Sequence, residues 1–155
     1  MYISERESGK KLKVEISLMQ ETDYKGITKA RYWFPWKDYK TDCNVYKLTI
    51  KGQKDILGLV ACREFTAERR TEIALLAASK ENVGKMKKYV GVAGCLIAYA
   101  AKQAVINYNI EGCISLFPKT LLRQHYIDQY FMEEAGRSLC LEGLSMFKLI
   151  KEYQA

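Results

Sequence analysis

The densest chemical signal in this sequence is the stretch Lys87-Lys88-Tyr89-Val90-Gly91-Val92-Ala93-Gly94-Cys95-Leu96-Ile97. Its second half opens an apolar run with helical spacing, and a helix start leaves backbone N–H groups unpaired at the positive end of the dipole. Such a terminus suits an anion, a phosphate above all. Gly91, Ala93 and Gly94 are small enough to let an anion reach those amides. Lys85, Lys87 and Lys88 sit on the N-terminal side, where cations oppose the dipole unless an anion lies between them and the helix. The competing reading is a Gly/Ala-rich helix packed closely on a sheet.

Other residue types with chemical potential are scattered. Glu72 and Glu64 stand near strand ends, as general bases or as solvated carboxylates. The single histidine, His125, reads as a base or as a polar helix residue. Five cysteines, Cys43, Cys62, Cys95, Cys113 and Cys140, show no metal-ligand spacing, and four of the five have apolar or small neighbours on both sides. Buried reduced thiols are expected, with no metal site. The cluster Trp33-Phe34-Pro35-Trp36 reads as a core plug or as the lining of an apolar or cation-binding site, since aromatic faces attract ammonium groups.

The elements that must position these residues follow from periodicity. Leu12, Val14, Ile16 and Leu18 alternate with polar residues, predicting a half-buried strand. Gln20 to Asp42 has poor periodicity and predicts a short helix with an irregular loop. Strands are expected at Val45–Ile50, Ile56–Phe65 and Glu72–Ala78, the last nearly continuous in apolar residues as in a strand covered on both faces. A polar stretch, Ser79 to Lys88, leads into a helix from about Val90 to Asn107. Cys113–Phe117 predicts a short strand, and Leu121–Glu134 a helix stopped at Gly136. Arg137–Leu141 predicts a last strand, and Leu144–Tyr153 a C-terminal helix, with a strand there as the alternative. The order implies one mixed α/β (α+β) domain over 1–155, with a largely antiparallel sheet flanked by helices and a right-handed strand–helix–strand crossover.

Composition sets bounds on this reading. The chain has 155 residues and a net charge of +7, which favours an anionic partner. The lysines are dispersed, without the basic stripe and exposed stacking aromatics of a nucleic-acid module, so nucleic acid ranks last among partners. No apolar run reaches the ~20 residues of a membrane span, so no membrane partner is expected. Met1 to Leu12 is polar and charged, unlike a signal peptide, and a cytoplasmic location is expected. The oligomeric state is left open, a homodimer included.

In its central segment the sequence resembles the GNAT superfamily of N-acetyltransferases. The family's pyrophosphate-binding signature is Arg or Gln, two residues, Gly, one residue, then Gly or Ala. Lys88, Gly91 and Ala93 occupy these positions, with Lys replacing the usual first residue. The likeness spans roughly Ile56 to Leu141, with a strand before the motif and a helix, strand and helix after it. It implies acetyl-CoA or another acyl-CoA as co-substrate and an amine, in a small molecule or a protein, as acceptor. The pyrophosphate would lie on Tyr89, Val90, Gly91, Val92, Ala93 and Gly94, beside Lys88. The pantetheine arm would run along Leu76, Ala77 and Ala78. A base or water chain would deprotonate the amine, the amine would attack the thioester, and backbone donors would stabilise the oxyanion.

The chain departs from the family pattern in three ways. The link Ser79–Lys87 is longer than usual. The family's proton-donating helix tyrosine precedes a glycine, and counting back from Gly136 puts Met132 there, with Tyr126 and Tyr130 nearby but off register. Arg137 follows that glycine in place of an aromatic residue. Tyr126, Tyr130, Glu72 and His125 are therefore the catalytic candidates. Met132 suggests the alternative of a non-catalytic acyl-CoA-binding regulator. The cluster Trp33–Trp36 falls where the family builds its acceptor pocket.

Overall fold

The structure, a computed structural model, describes residues 1–155. Nine strands form one mixed sheet: β1 Tyr2–Glu5, β2 Lys11–Leu18, β3 Asn44–Ile50, β4 Ile56–Phe65, β5 Arg70–Ala78, β6 Tyr89–Val90, β7 Cys113–Leu116, β8 Glu133–Ala135 and β9 Ser138–Glu142. Three helices accompany them: α1 Val92–Tyr108, α2 Arg123–Tyr130 and α3 Gly143–Tyr153. The strand order is β6-β1-β2-β3-β4-β5-β7-β9-β8. Every neighbouring pair is antiparallel except β5 and β7, which α1 joins as a crossover. This is the mixed, mainly antiparallel architecture that the pattern of hairpins followed by a strand–helix–strand unit predicts.

Helix α1 is apolar nearly all round and is correspondingly enclosed. Val92, Cys95, Leu96, Ile97, Ala98, Ala100, Ala101 and Ala104 are all buried, against β4, β5 and β7 on one side and α3 on another. Its small residues let it lie close to its neighbours. Asn109, at φ +57°, ends it while its N–H still reaches the Val105 carbonyl. Truncating Leu96 here would remove about 2–5 kcal/mol of stability, as for other enclosed leucines.

The opposite face of the sheet is covered by the stretch between β2 and β3. It forms two 3-10 turns, Glu21–Gly26 and Trp36–Lys40, where a short helix was expected. Aromatic plugging holds these turns. Tyr24, Tyr32 and Trp36 bury themselves against Val45, Ile56, Leu59 and Ala61. The Tyr32 hydroxyl donates to the Ile56 carbonyl at 2.6 Å.

Three strands, β1, β6 and β8, were not expected from the sequence. β1 is only four residues long with one buried side chain, Ile3, and β6 is two residues long. Neither length can show a period. They pair with one another, Ser4 opposite Val90 and Glu5 opposite Tyr89.

The segment after β7 also differs from expectation. The predicted helix 121–134 stops early, at Tyr130, because Phe131 adopts φ +57° and turns the chain. Met132 then points into the core. Glu133–Ala135 pair with β9 instead, so Gly136, at φ +64°, makes the β8–β9 hairpin turn and stops no helix. Arg123 fastens this hairpin, donating to Glu134 at 3.0 Å and to the carbonyls of Gly136 and Arg137 at 3.0 and 3.2 Å. The C-terminal segment is the helix α3, and no helix of the chain is long and apolar enough to cross a membrane.

Candidate functional site

β5 and β7 run side by side through four registered pairs, from Arg70/Cys113 to Ile73/Leu116. There β7 ends, and β5 continues to Ala78 without a partner on that side. β5 also carries a bulge at this point. Leu75 pairs with Ala61 and Ile73 with Cys62, so Ala74 faces no residue of β4. Bulges of this kind leave a residue outside the ladder and recur beside active sites. The parting opens a cleft of about 550 Å³ between Ile73–Ala78 and Leu116–Lys119. Gly84, Lys87 and Ala93 also line it, as do His125, Tyr126 and Tyr130 from α2 and the aromatic rings of Trp33 and Phe34.

The start of α1 adjoins this cleft through Ala93. Gly91 stands before the helix at φ +100°, a conformation that L side chains rarely adopt, which is why glycine is needed there. The first hydrogen bond of the helix runs from the Cys95 N–H to the Gly91 carbonyl at 2.9 Å, and no side chain caps the end. The amides of Val92, Ala93 and Gly94 therefore have no acceptor within the helix.

Their neighbours are committed elsewhere. The Tyr89 N–H donates to Asn82 Oδ1 at 3.0 Å, the Lys88 N–H to the Glu81 carbonyl at 2.9 Å, and Tyr89 and Val90 lie in β6. Gly94 is small for another reason: a Cβ there would overlap the Tyr153 ring of α3. Lys88 reaches over the Tyr89 ring at 5.2 Å, while Lys87 is the lysine of the motif that lines the cleft.

Asn82 is a positioning residue that no sequence pattern marks. It is buried beneath the long link between β5 and α1, where its Nδ2 donates to Ser79 Oγ at 2.9 Å and its Oδ1 accepts from Tyr89. Ser79 in turn donates to the Leu57 carbonyl through both its N–H and its hydroxyl. A lone asparagine in a polar stretch gives no hint of this clip.

The catalytic candidates divide by place. His125, Tyr126 and Tyr130 form an aromatic cluster on the cleft, with ring centroids 5.5 to 6.1 Å apart. Burial raises the phenol of Tyr126 above its usual pKa, and burial together with Tyr153 and Tyr126 does the same for Tyr130. Both phenols thus hold their protons at neutral pH and can donate them.

Glu72 does not line the cleft. Arg63 engages one of its oxygens at 2.8 Å and Arg70 lies 3.5 Å from the other. Glu64 accepts from the hydroxyls of Thr71 and Tyr108 at 2.8 and 2.7 Å. Glu72 is thus held between two guanidiniums, whereas both hydroxyls on Glu64 reach a single oxygen, Oε2. The thiols of Cys43 and Cys95 are pushed up to about 11 by burial, which suppresses the thiolate a nucleophile requires.

The aromatic cluster is divided between the core and the cleft. Trp36 is 1% exposed and belongs to the core, whereas Trp33 is 59% exposed and stands on the cleft with Phe34. Lys80 lies over the Trp33 ring and Lys119 over Phe34, at 5.3 and 5.4 Å.

No protein-family model matches the sequence, and no curated protein matches it. Solved structures do. A putative streptothricin acetyltransferase from Bacillus anthracis, in complex with acetyl coenzyme A, aligns with a TM-score of 0.63 at 11% identity, over 84% of this chain and 98% of that one. Naa50 of Arabidopsis thaliana, bound to a bisubstrate analogue, aligns at 0.61 with 13% identity, over 83% and 98%. The ribosomal-protein-S18-alanine N-acetyltransferase of Escherichia coli aligns at 0.58 with 13% identity, over 83% and 91%. At such identities the likeness is one of architecture, and the architecture of this chain is the GNAT acetyltransferase fold.

Proposed function

We propose that the chain is an acyl-CoA-dependent N-acyltransferase, with acetyl-CoA the first donor to test and an amine as acceptor. The observation that carries this reading is the parting of β5 from β7 at Ile73/Leu116, beside the unpaired Ala74 and next to an uncapped helix start. An extended amide-bearing arm can pair with the free edge of Ala74–Ala78 as an added strand does. The amides of Val92, Ala93 and Gly94 suit a diphosphate, with Lys87 and Lys88 supplying countercharge. Tyr89 and Val90 contribute position rather than amides. Backbone at Ala74 is the place for a donor to a developing oxyanion. Tyr126 is the preferred proton donor to the leaving thiolate, with Tyr130 and His125 behind it, and Glu72 is set aside because its guanidinium partners occupy it.

The alternative of a non-catalytic regulator drew on Met132 standing where a tyrosine is expected. With α2 ending at Tyr130, Met132 lies beyond the helix in the core, so that count loses its reference point. The acetyltransferases of similar fold, one bound to acetyl coenzyme A, support the enzymatic reading.

The test is thermal unfolding with acetyl-CoA, followed by thiol release over a panel of amines. A ligand at ~100 times its Kd adds about 2.7 kcal/mol to the folded state. In a domain of this size that raises Tm by roughly 5–10 °C. An unchanged midpoint at millimolar acetyl-CoA would overturn the assignment.

A further inference from the structure

The walls of the cleft have different origins. Ala74–Ala78 and the start of α1, where acyl-CoA is proposed to lie, supply one part. Trp33 and Phe34 come from the stretch that covers the opposite face of the sheet from α1. Phe117, Lys119 and Leu122 follow the end of β7. These five side chains are the walls left for an acceptor.

They are apolar and open. Trp33 is 59% exposed, Phe117 66% and Leu122 43%, three large apolar side chains lining one cleft. Exposed apolar residues are ordinary when scattered singly, but several gathered around one concavity mark a surface that an apolar ligand covers.

The charges point the same way. No aspartate or glutamate lines the cleft, and its two lysines are Lys87, from the motif, and Lys119. Lys119 Nζ lies over the Phe34 ring at 5.4 Å. Lys80 Nζ, held by the Lys29 carbonyl at 2.6 Å, lies over Trp33 at 5.3 Å. Each ring that could attract a substrate ammonium therefore has a protein ammonium beside it already. An ammonium buried with no anion nearby is costly, and such a group sheds its proton instead.

We infer that the acceptor is an amine carried on an apolar body and bound as the uncharged free base, in contrast to a polyamine or another polycation. This rests on the acyltransferase reading of the cleft. Of the two occupants considered for the aromatic cluster, apolar and cationic, it selects the apolar one. A free base needs no carboxylate to activate it, which fits a cleft whose lining includes neither Glu72 nor Glu64. The nitrogen lone pair attacks the thioester carbon and the C–S bond breaks. The thiolate takes the Tyr126 proton, and the proton shed by nitrogen returns through water to Tyr126.

The test uses benzyl alcohol, benzylamine and spermidine, read by saturation-transfer NMR on the full-length chain with millimolar CoA present. Benzyl alcohol has the shape of neutral benzylamine and carries no charge. It should bind at pH 7, with benzylamine far weaker and spermidine undetected. From pH 7 to pH 9 benzylamine affinity should rise about tenfold per unit, in step with its free-base fraction, while benzyl alcohol stays level. Phe117→Ser, at an exposed site, should weaken benzyl alcohol several-fold. Lys119→Glu, also exposed, should make benzylamine the tighter ligand at pH 7 by supplying the missing counter-charge.

Tighter binding of benzylamine or spermidine than of benzyl alcohol at pH 7, a benzylamine affinity indifferent to pH, or no saturable binding of any probe overturns the inference. Undiminished benzyl alcohol binding in Phe117→Ser does so too. A CoA thermal shift is measured on the same protein. Its absence would sink the acyltransferase reading and leave the probe series as the plain ligand preference of the cleft. Its presence with a cation-preferring series would sink only this acceptor class.

Discussion

Ile73 on β5 and Leu116 on β7 are the last registered partners of the one parallel pair in the sheet, and everything functional proposed for the chain begins where they part. Up to that pair the two strands share a ladder. Beyond it one strand stops and the other is left with a free edge, directly next to the bulge at Ala74. A sheet edge in the middle of a protein is normally a hazard to be covered. Here it forms one wall of a cleft reached by the start of α1, which makes a bound chain of amides its natural cover.

The anion site can be tested without disturbing backbone geometry. Any residue in place of Gly91 is strained by its φ of +100°, so a carboxylate at that position would confuse misfolding with repulsion. Ala93 lines the same cleft within the first turn of α1 and is only partly buried. Ala93→Glu should therefore fold and should remove the acetyl-CoA thermal shift, while Ala93→Ser should keep it. Equal shifts in wild type and Ala93→Glu would place the diphosphate elsewhere.

Asn82 should matter as a clip rather than as a contact. Replacing it with alanine leaves the half-buried Tyr89 amide without its acceptor and removes one of the two bonds of Ser79 Oγ, at a cost of about 1–3 kcal/mol. The link Ser79–Lys88 would then sample other conformations, and acetyl-CoA affinity should fall about tenfold with no change in kcat at saturation. Calorimetry and steady-state kinetics separate the two effects. A fall in kcat with unchanged affinity would contradict the positioning role.

How much of this was legible in the sequence depended on whether a period existed to be read. β2, β3 and β4 alternate or run apolar over seven to ten residues, and α1 is a long apolar stretch, so all four emerged close to their observed bounds. β1 and β6 did not, being too short to show alternation and defined by their pairing, β1 with β2 and β6 with β1. The end of α2 was misread for a different reason. Gly136 looks like a helix stop, but the actual stop is Phe131 in a left-handed conformation, a choice made by the burial of Met132 and the pairing of β8 with β9. The glycines of the motif were legible as small residues but not by role, since Gly91 answers to its backbone angle and Gly94 to the ring of Tyr153. Asn82 carries no sequence signature, because its nearby partners, Ser79 and Tyr89, form no repeating spacing with it.

Gly94 and Tyr153 give a prediction about packing that also tests the division of labour within the motif. Gly94→Ala forces a methyl group into the Tyr153 ring and should cost about 1–3 kcal/mol, as overpacking does. Tyr153→Leu should recover part of that loss, giving a coupling energy of about 1 kcal/mol in a double-mutant cycle of denaturant midpoints. The acetyl-CoA response of the folded Gly94→Ala protein should persist. Strictly additive effects would show that the two residues do not meet.

The proton donor can be identified by comparing two phenols that differ in burial. Tyr126 is the partly buried one and Tyr130 is fully buried, yet both line the cleft. Tyr126→Phe keeps the ring and removes only the hydroxyl, so kcat should fall about 100-fold or more with acetyl-CoA KM little changed. Tyr130→Phe should lower kcat several-fold at most. The pH profile adds an independent sign. Burial raises the pKa of Tyr126 above the usual phenol value near 10, so the protonated donor persists through neutral and mildly alkaline pH, and activity that depends on it falls only above that value. Stability moves in the same direction. A phenol whose pKa is raised in the folded state holds its proton longer there than in the unfolded chain, so its contribution is complete below pH ~10 and is lost as pH climbs through the folded value. Tyr46 and Tyr153, pushed up to about 12 by burial, add to that loss, and urea midpoints should fall between about pH 10 and about pH 12. A Tyr126→Phe enzyme with unaltered kcat would remove the hydroxyl from the mechanism, and flat urea midpoints across that range would remove the burial argument with it.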